Sequence, residues 1–305
     1  MKDIFWKEEK ISSLVLGTAQ LGMNYGIANI NGKPAKQLVF KIIETAWKNG
    51  INCFDTAQGY GASENFLGEA LKQLGVSSGA KIISKLSPPL DPTNKEDIKW
   101  TIDNSIRCLG IDQLWCMKLH RGDWLDYWDE GLSKILLFAR EKGLIRYLGV
   151  SVYDVEEARR ALQHPDIQVV QIPCNLWDQS MLDEEIFSLA EKMGKICFVR
   201  SIYLQGLLLM SPSQVTEKLP RAVDVSQKWF ELTETMDSTP KELAFRFALS
   251  LNCPLVVGAE TVKQLEENIS LSQQKPLSKD QIEQIRKTIA PLVDSQITNP
   301  HLWHK

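Results

Sequence analysis

Apolar residues recur along this chain with two alternating periods. Val39, Ile42, Ile43, Ala46 and Trp47 fall at i, i+3, i+4, i+7 and i+8, one stripe of a helix closed by Gly50. The stripe returns at Phe66, Leu67, Ala70, Leu71 and Leu74 before Gly75, and at Ile98, Ile102, Ile106 and Leu109 before Gly110. A fourth helix carries Leu132, Ile135, Leu136 and Ala139 before Gly143. Thr93 and Glu96 have the spacing of a capping box for the third helix, and Asp154 with Glu157 for a fifth. A sixth helix is expected over 183–194. A seventh opens at Thr239-Pro240 with Glu242, and an eighth at Thr261 with Gln264.

Between these helices lie eight short, mostly apolar runs: 14–16, 52–54, 81–84, 114–119, 147–150, 168–172, 196–199 and 254–257. Their continuous apolar character suits parallel strands covered on both faces. Eight strands alternating with eight helices predict an α/β protein, a closed (β/α)8 TIM barrel. A doubly wound open sheet is the alternative, and it rarely sustains the alternation for eight units. Residues 1–13 read as an N-terminal hairpin at the barrel floor. Extra helices are expected near 222–236, in a long insertion after strand seven, and over 279–292 at the C-terminus. No low-complexity linker interrupts residues 1–305, which are expected to form one barrel domain.

Composition narrows the function classes. There are 35 basic and 38 acidic residues, a net charge of −3, spread without a basic stripe, so nucleic acid is not an expected partner. No apolar run approaches the roughly 18 residues of a membrane helix, and the first ten residues lack a signal-peptide core. A cytoplasmic protein with no membrane partner is expected, a monomer or weak homo-oligomer acting on a small molecule. The six cysteines form no Cys-x-x-Cys pair and read as reduced core residues, with no metal site.

In such a barrel the active site lies at the C-terminal ends of the strands. Asp55, Lys85 and His120 follow three consecutive strands, and Tyr60 lies five residues beyond Asp55. A tyrosine is a poor acid or base at neutral pH, since its ordinary pKa is about 10. A neighbouring lysine is expected to lower it, an aspartate to hold that lysine, and a histidine to orient a carbonyl oxygen. This set suits proton transfer to oxygen while a hydride, which no side chain supplies, reaches carbon.

The segments Phe54-Asp-Thr-Ala-Gln-Gly-Tyr-Gly-Ala-Ser-Glu64, Ile83-Ser-Lys85 and Leu119-His120 resemble the aldo-keto reductase superfamily. Gly149-Val-Ser151, Gln171 with Asn175, Gln205-Gly-Leu-Leu208 and Gly258-Ala with Glu267-Asn268 extend the resemblance in order from about residue 14 to 272. It implies a (β/α)8 barrel that interconverts a carbonyl and an alcohol with NAD(H) or NADP(H). Tyr60 would be the general acid or base, Lys85 its partner, Asp55 the lysine's anchor and His120 the carbonyl-orienting group. Gly17, Thr18 and Asp55 would lie beside the nicotinamide ribose, and Ser151 and Gln171 at the carboxamide. Arg200, Ser201 and Gly206 would follow the nicotinamide and pyrophosphate. Gly258, Glu260, Gln264, Glu267 and Asn268 would meet the adenosine end. Met23, Tyr25, Trp124, Trp128 and Trp177, with Tyr60 and His120, are candidate pocket walls for a sugar or other hydroxylated aldehyde.

Three departures from the family pattern stand out. Val152 replaces an asparagine, and Arg200 replaces a tyrosine that stacks on the nicotinamide. Gly258 and Ala259 replace residues that grip a 2′-phosphate, which with Glu260 favours NAD(H) over NADP(H). Lys263 is the one nearby cation in that segment. A cofactor-binding regulatory barrel and a redox-neutral enzyme such as an epimerase remain alternatives.

Overall fold

A computed structural model describes residues 2–303. Strands β1 (Asp3–Trp6) and β2 (Glu9–Ser12) form an antiparallel hairpin. Eight parallel strands then close a barrel: β3 (Leu14–Gly17), β4 (Cys53–Asp55), β5 (Lys81–Leu86), β6 (Leu114–Leu119), β7 (Ile145–Ser151), β8 (Val169–Pro173), β9 (Ile196–Arg200) and β10 (Leu255–Gly258). The closing pair aligns Gly258 with Gly17, and Gly17 aligns with Asp55 across the next ladder. The mouth is thus built from strand ends in register. All eight expected strands are present.

Apolar stripes pack the surrounding helices onto the strands. Lys36–Lys48 buries Val39, Ile42, Ile43 and Ala46, and Ser63–Gln73 and Lys95–Leu109 bury their stripes in the same way. The helix Lys95–Leu109 is capped differently from expectation. Asn94 accepts from the Asp97 amide, while Thr93 turns back to Asp91. Asn94 competes successfully because its short side chain reaches the third amide from one residue later. Asp154 and Thr261 do cap their helices, but Glu157 and Gln264 accept from the amides of Tyr153 and Glu260, one residue further back than a capping box requires.

The expected sixth helix is broken. Ser180–Asp183 and Ile186–Lys192 are separate, because Glu185 adopts a left-handed backbone (φ 55°) between them. After β9 the chain makes a segment Leu204–Leu209 kinked at Gln205 and Gly206, then helices Pro212–Lys218 and Val223–Thr235, and Trp229 donates to the Leu208 carbonyl at 2.9 Å. Helix Lys279–Ile289 and its short extension to Leu292 are followed by the short helical turns Ser295–Thr298 and Pro300–Leu302. Of the C-terminal tail, His304 and Lys305 lie outside the described residues; Trp303 before them is buried.

The hairpin does sit against the barrel floor. Ile11, Ile4 and Trp6 join the inner apolar cluster, where the Trp6 ring lies 5.0 Å from Tyr147 and 6.3 Å from Trp115. Among the described residues, no helix is long and apolar enough to cross a membrane.

Candidate active site

Strand alternation builds the site. Val15, Cys53, Ile83, Cys116, Val169 and Phe198 fill the barrel interior. Two residues further along the same strands stand Gly17, Asp55, Lys85, Lys118, Gln171 and Arg200. With a side-chain period of two they face the same interior, one layer nearer the C-terminal mouth.

Asp55 is the hub of that layer. Its Oδ1 accepts from Lys85 Nζ at 2.5 Å, and its Oδ2 accepts from Lys118 Nζ at 2.9 Å and Gln171 Nε2 at 3.1 Å. Lys85 also donates to the Thr56 carbonyl at 2.9 Å and to the Tyr60 hydroxyl at 3.3 Å. The Tyr60 ring meets His120 edge-on, with centroids 5.9 Å apart. His120 Nδ1 lies 2.7 Å from Ser87 Oγ. The structure therefore gathers Asp55, Tyr60, Lys85 and His120 into one cluster, with Lys118 and Ser87 added.

The electrostatics differ from expectation at two of these residues. Burial pushes the Asp55 carboxyl up, but the Lys118 and Lys85 ammonium groups outweigh it and hold the group at about 2. Burial and then the Asp55 carboxylate push the Tyr60 hydroxyl up from its ordinary value, with Arg200 pulling against them. The expected lowering is overridden, because burial, with the Asp55 carboxylate, outweighs the nearby positive charge. Tyr60 therefore rests as a phenol, a proton donor. Burial first, then Lys85 and Arg200, push His120 down to about 3, so its imidazole is neutral at physiological pH.

Beside the cluster lies a cavity of about 360 Å³. Gly17, Thr18, Asp55, Gln171, Arg200, Ser201, Gly206, Gly258, Glu260, Gln264, Glu267 and Asn268 line it, together with Tyr25 and Tyr60. Ser151 is buried next to its register partner Gln171 and is not in the wall. Gln171 Oε1 is buried without a hydrogen-bond partner among the described residues. At Gly258 a Cβ would fall 2.1 Å from the Gln20 amide, so the bare strand end leaves room for that side chain. The loop after β9 holds Ser201, Leu204 and Gln205 at positive φ, a backbone seldom adopted except where structure enforces it.

Several expected wall residues lie elsewhere. Met23 is exposed and outside the cavity. Trp124 and Trp128 sit on the buried side of the segment Gly122–Glu130, and Trp128 packs on His164 at 4.7 Å. Burying two indoles in the core outweighs presenting them at the mouth. Trp177 lines a second cavity of about 560 Å³, which also has Arg200 in its wall. The Arg200 guanidinium lies 4.7 Å from the Tyr153 ring and donates to the Val152 carbonyl at 2.9 Å.

Three contributors went unread in the sequence. Lys118 sits inside an apolar strand, where only its alternation with Cys116 and His120 marks it as inward-facing. Ser87 gives no signal beyond its place two residues after Lys85. Lys241, in the helix Pro240–Ser250, lines the cavity and pairs with Glu267 at 2.5 Å. Lys263 is exposed. Among the described residues no group of His, Cys, Asp or Glu is placed to hold a metal ion.

Comparison with known proteins places this geometry. The family model described as Aldo/keto reductase family matches residues 13–290. The chain is 24% identical over 298 residues to the NADH-specific methylglyoxal reductase of Escherichia coli (strain K12), covering 85% of this chain and 89% of that protein. It is 24% identical over 291 residues to an uncharacterized oxidoreductase of Bacillus subtilis (strain 168), covering 89% and 94%. Among solved structures, an aldo-keto reductase from Bacillus halodurans in its holo form matches with a TM-score of 0.77 at 24% identity, covering 99% of each chain. A glycerol dehydrogenase from Gluconobacter oxydans matches with a TM-score of 0.75 at 20% identity, covering 98% of this chain and 97% of that one. Both structures share the fold.

Proposed function

Because this chain belongs to the aldo/keto reductase family, and is an oxidoreductase of that family, we propose that it interconverts a small aldehyde or ketone and its alcohol at the Asp55–Lys85–Tyr60–His120 cluster. The observation that carries this reading is the Tyr60 hydroxyl, 3.3 Å from Lys85 Nζ and at the wall of the cavity. Tyr60 donates its proton to the carbonyl oxygen during reduction and takes it back during oxidation. Lys85 stabilises the phenolate that remains, and Asp55 holds Lys85 in place. The neutral His120 orients the oxygen, its ring fixed by Ser87.

The cavity wall fits a nicotinamide dinucleotide. Gln171 Oε1, buried and unpartnered, would accept from the carboxamide. Arg200 and Ser201 would meet the pyrophosphate, and Glu260, Gln264 and Asn268 the adenosine end. When bound, this cofactor supplies the hydride that the protein lacks.

The finer reading is a small hydroxylated or sugar-like aldehyde reduced with NADH. Gln20 and Gln205 line the cavity and make no side-chain hydrogen bond among the described residues, so both amides are free for hydroxyls. For the cofactor, Glu267 already pairs with Lys241, the cation that lines the cavity from the helix Pro240–Ser250, and Glu260 adds a carboxylate. The Escherichia coli relative, named as NADH-specific, supports the same choice.

The test mixes the protein with NADH or NADPH and a panel of DL-glyceraldehyde, methylglyoxal, D-xylose and 4-nitrobenzaldehyde, following cofactor absorbance. Oxidation of NADH, faster with the hydroxylated aldehydes, is expected. No cofactor oxidation with any aldehyde would overturn the reading, and faster use of NADPH would overturn the cofactor choice.

A further inference from the structure

Inside the barrel, Asp55 is held by two lysines where its salt bridge to Lys85 needs only one. Lys118 is fully buried, with 0% exposure, and among the described residues its one hydrogen-bond partner is Asp55 Oδ2 at 2.9 Å. Its Nζ also lies 5.1 Å from the Phe198 ring centroid. The neighbouring strand makes room for it. A Cβ at Gly149, the register partner of Lys118, would fall 3.0 Å from Lys118 Cγ and 2.6 Å from the Val169 carbonyl. Burying an ammonium with a single partner costs stability, whatever role it serves.

We propose that Lys118 is a positioning residue of the proton-transfer site: by neutralising the outer oxygen of Asp55, it leaves the Lys85 ammonium free to act on the Tyr60 hydroxyl. This rests on the reading of Tyr60 as the proton-transferring group. One carboxylate cannot cancel two ammonium groups, so the cluster keeps a surplus positive charge beside Tyr60. That surplus offsets the Asp55 carboxylate, which acts on Tyr60 together with burial to disfavour the phenolate.

The charged and titratable surroundings are defined on every side. Tyr60 is faced by Asp55 from β4 and by Lys85 from β5. His120 follows β6, Tyr153 follows β7, and Arg200 ends β9. Tyr25, from the loop after β3, lies close enough to feel Tyr60. Lys118 itself faces Asp55, Lys85, Cys116 and Cys53. Burial pulls it down from its ordinary value, as does Lys85, while Asp55 pulls it up. None of these groups other than Lys118 supplies charge to Asp55 Oδ2.

The test is the pH profile of kcat/KM for oxidation, with the alcohol of the fastest panel aldehyde. It compares the unmodified enzyme with Lys118→Met and Lys118→Gln, and with Tyr60→Phe as control. Lys118→Gln keeps a hydrogen-bond donor and loses the charge, and covers the case in which Lys118→Met does not fold. Oxidation needs the phenolate, so its rate rises with pH, and loss of a positive charge moves the midpoint of that rise upward. The expected shift is about one pH unit in either variant. A purely structural role lowers the rate at every pH and leaves the midpoint in place, and that result would overturn the proposal. Tyr60→Phe with undiminished turnover would overturn the underlying reading and this inference with it, whereas an inactive Tyr60→Phe beside an unmoved midpoint defeats the inference alone.

Discussion

His120 shows how far burial can move a residue from its free chemistry. In the chain it is a histidine that closes a strand, and its ordinary pKa invites an acid limb in the rate profile. Enclosed and facing Lys85 and Arg200, it is pushed down to about 3. The sign follows directly: with the pKa lowered, the imidazole is neutral at all pH values above about 3. Reduction is therefore expected to show no imidazole titration between about pH 5 and 8. The check is kcat/KM for reduction across that range in the unmodified enzyme and in His120→Gln. An acid limb centred near about 6.5 that disappears in the variant would contradict the neutral imidazole. At this scale the four central residues were legible, because Asp55, Lys85 and His120 mark the ends of three consecutive strands and Tyr60 lies in the loop after the first of them. Their charge states were not, because desolvation depends on what encloses them. Lys118 was hidden for a different reason: attention to the first polar residue after each strand passes over a lysine one place before the strand's end.

At the scale of elements, the turn that carries Tyr60 is held by a close backbone contact with the first loop. A Cβ at Gly22 would fall 1.8 Å from the Tyr60 carbonyl and 2.6 Å from the Ser63 amide. Gly61, at φ +59°, meets the Gly22 carbonyl from the other side. No side chain larger than hydrogen fits between these segments without moving Tyr60. Gly22→Ala is expected to cost about 1–3 kcal/mol, as overpacking does, and to lower turnover more than it lowers cofactor affinity. Denaturant midpoints and cofactor titration of the variant check this; unchanged stability and turnover would show that the contact relaxes freely. The stripes and glycine stops made the helices readable in the chain. The break at Glu185 was not, since a glutamate in a left-handed backbone leaves no mark in the pattern of apolar positions. The cap at Asn94 was missed because two adjacent residues offer competent caps, and only the chain path decides between them.

For the whole molecule, alternation along parallel strands accounts for both the core and the site. The layer that includes Val15, Cys53, Ile83, Cys116, Val169 and Phe198 closes the interior, with the hairpin below it. The next layer places one aspartate, two lysines, a glutamine and an arginine where the cavity begins. Eight repeats made the barrel legible from sequence, because each repeat carries its own apolar pattern. The pairing of Lys241 with Glu267 joins two successive helices across 26 residues, and no local pattern predicts it. The central claim is that Tyr60 gives its proton to the substrate oxygen at this layered mouth. Single-turnover hydride transfer, with deuterated reduced cofactor to show that this step is observed, tests it most directly. For Tyr60→Phe the account predicts a rate lower by about 10²–10⁴-fold with cofactor affinity unchanged; a variant that keeps half the rate, with the isotope effect intact, would contradict it.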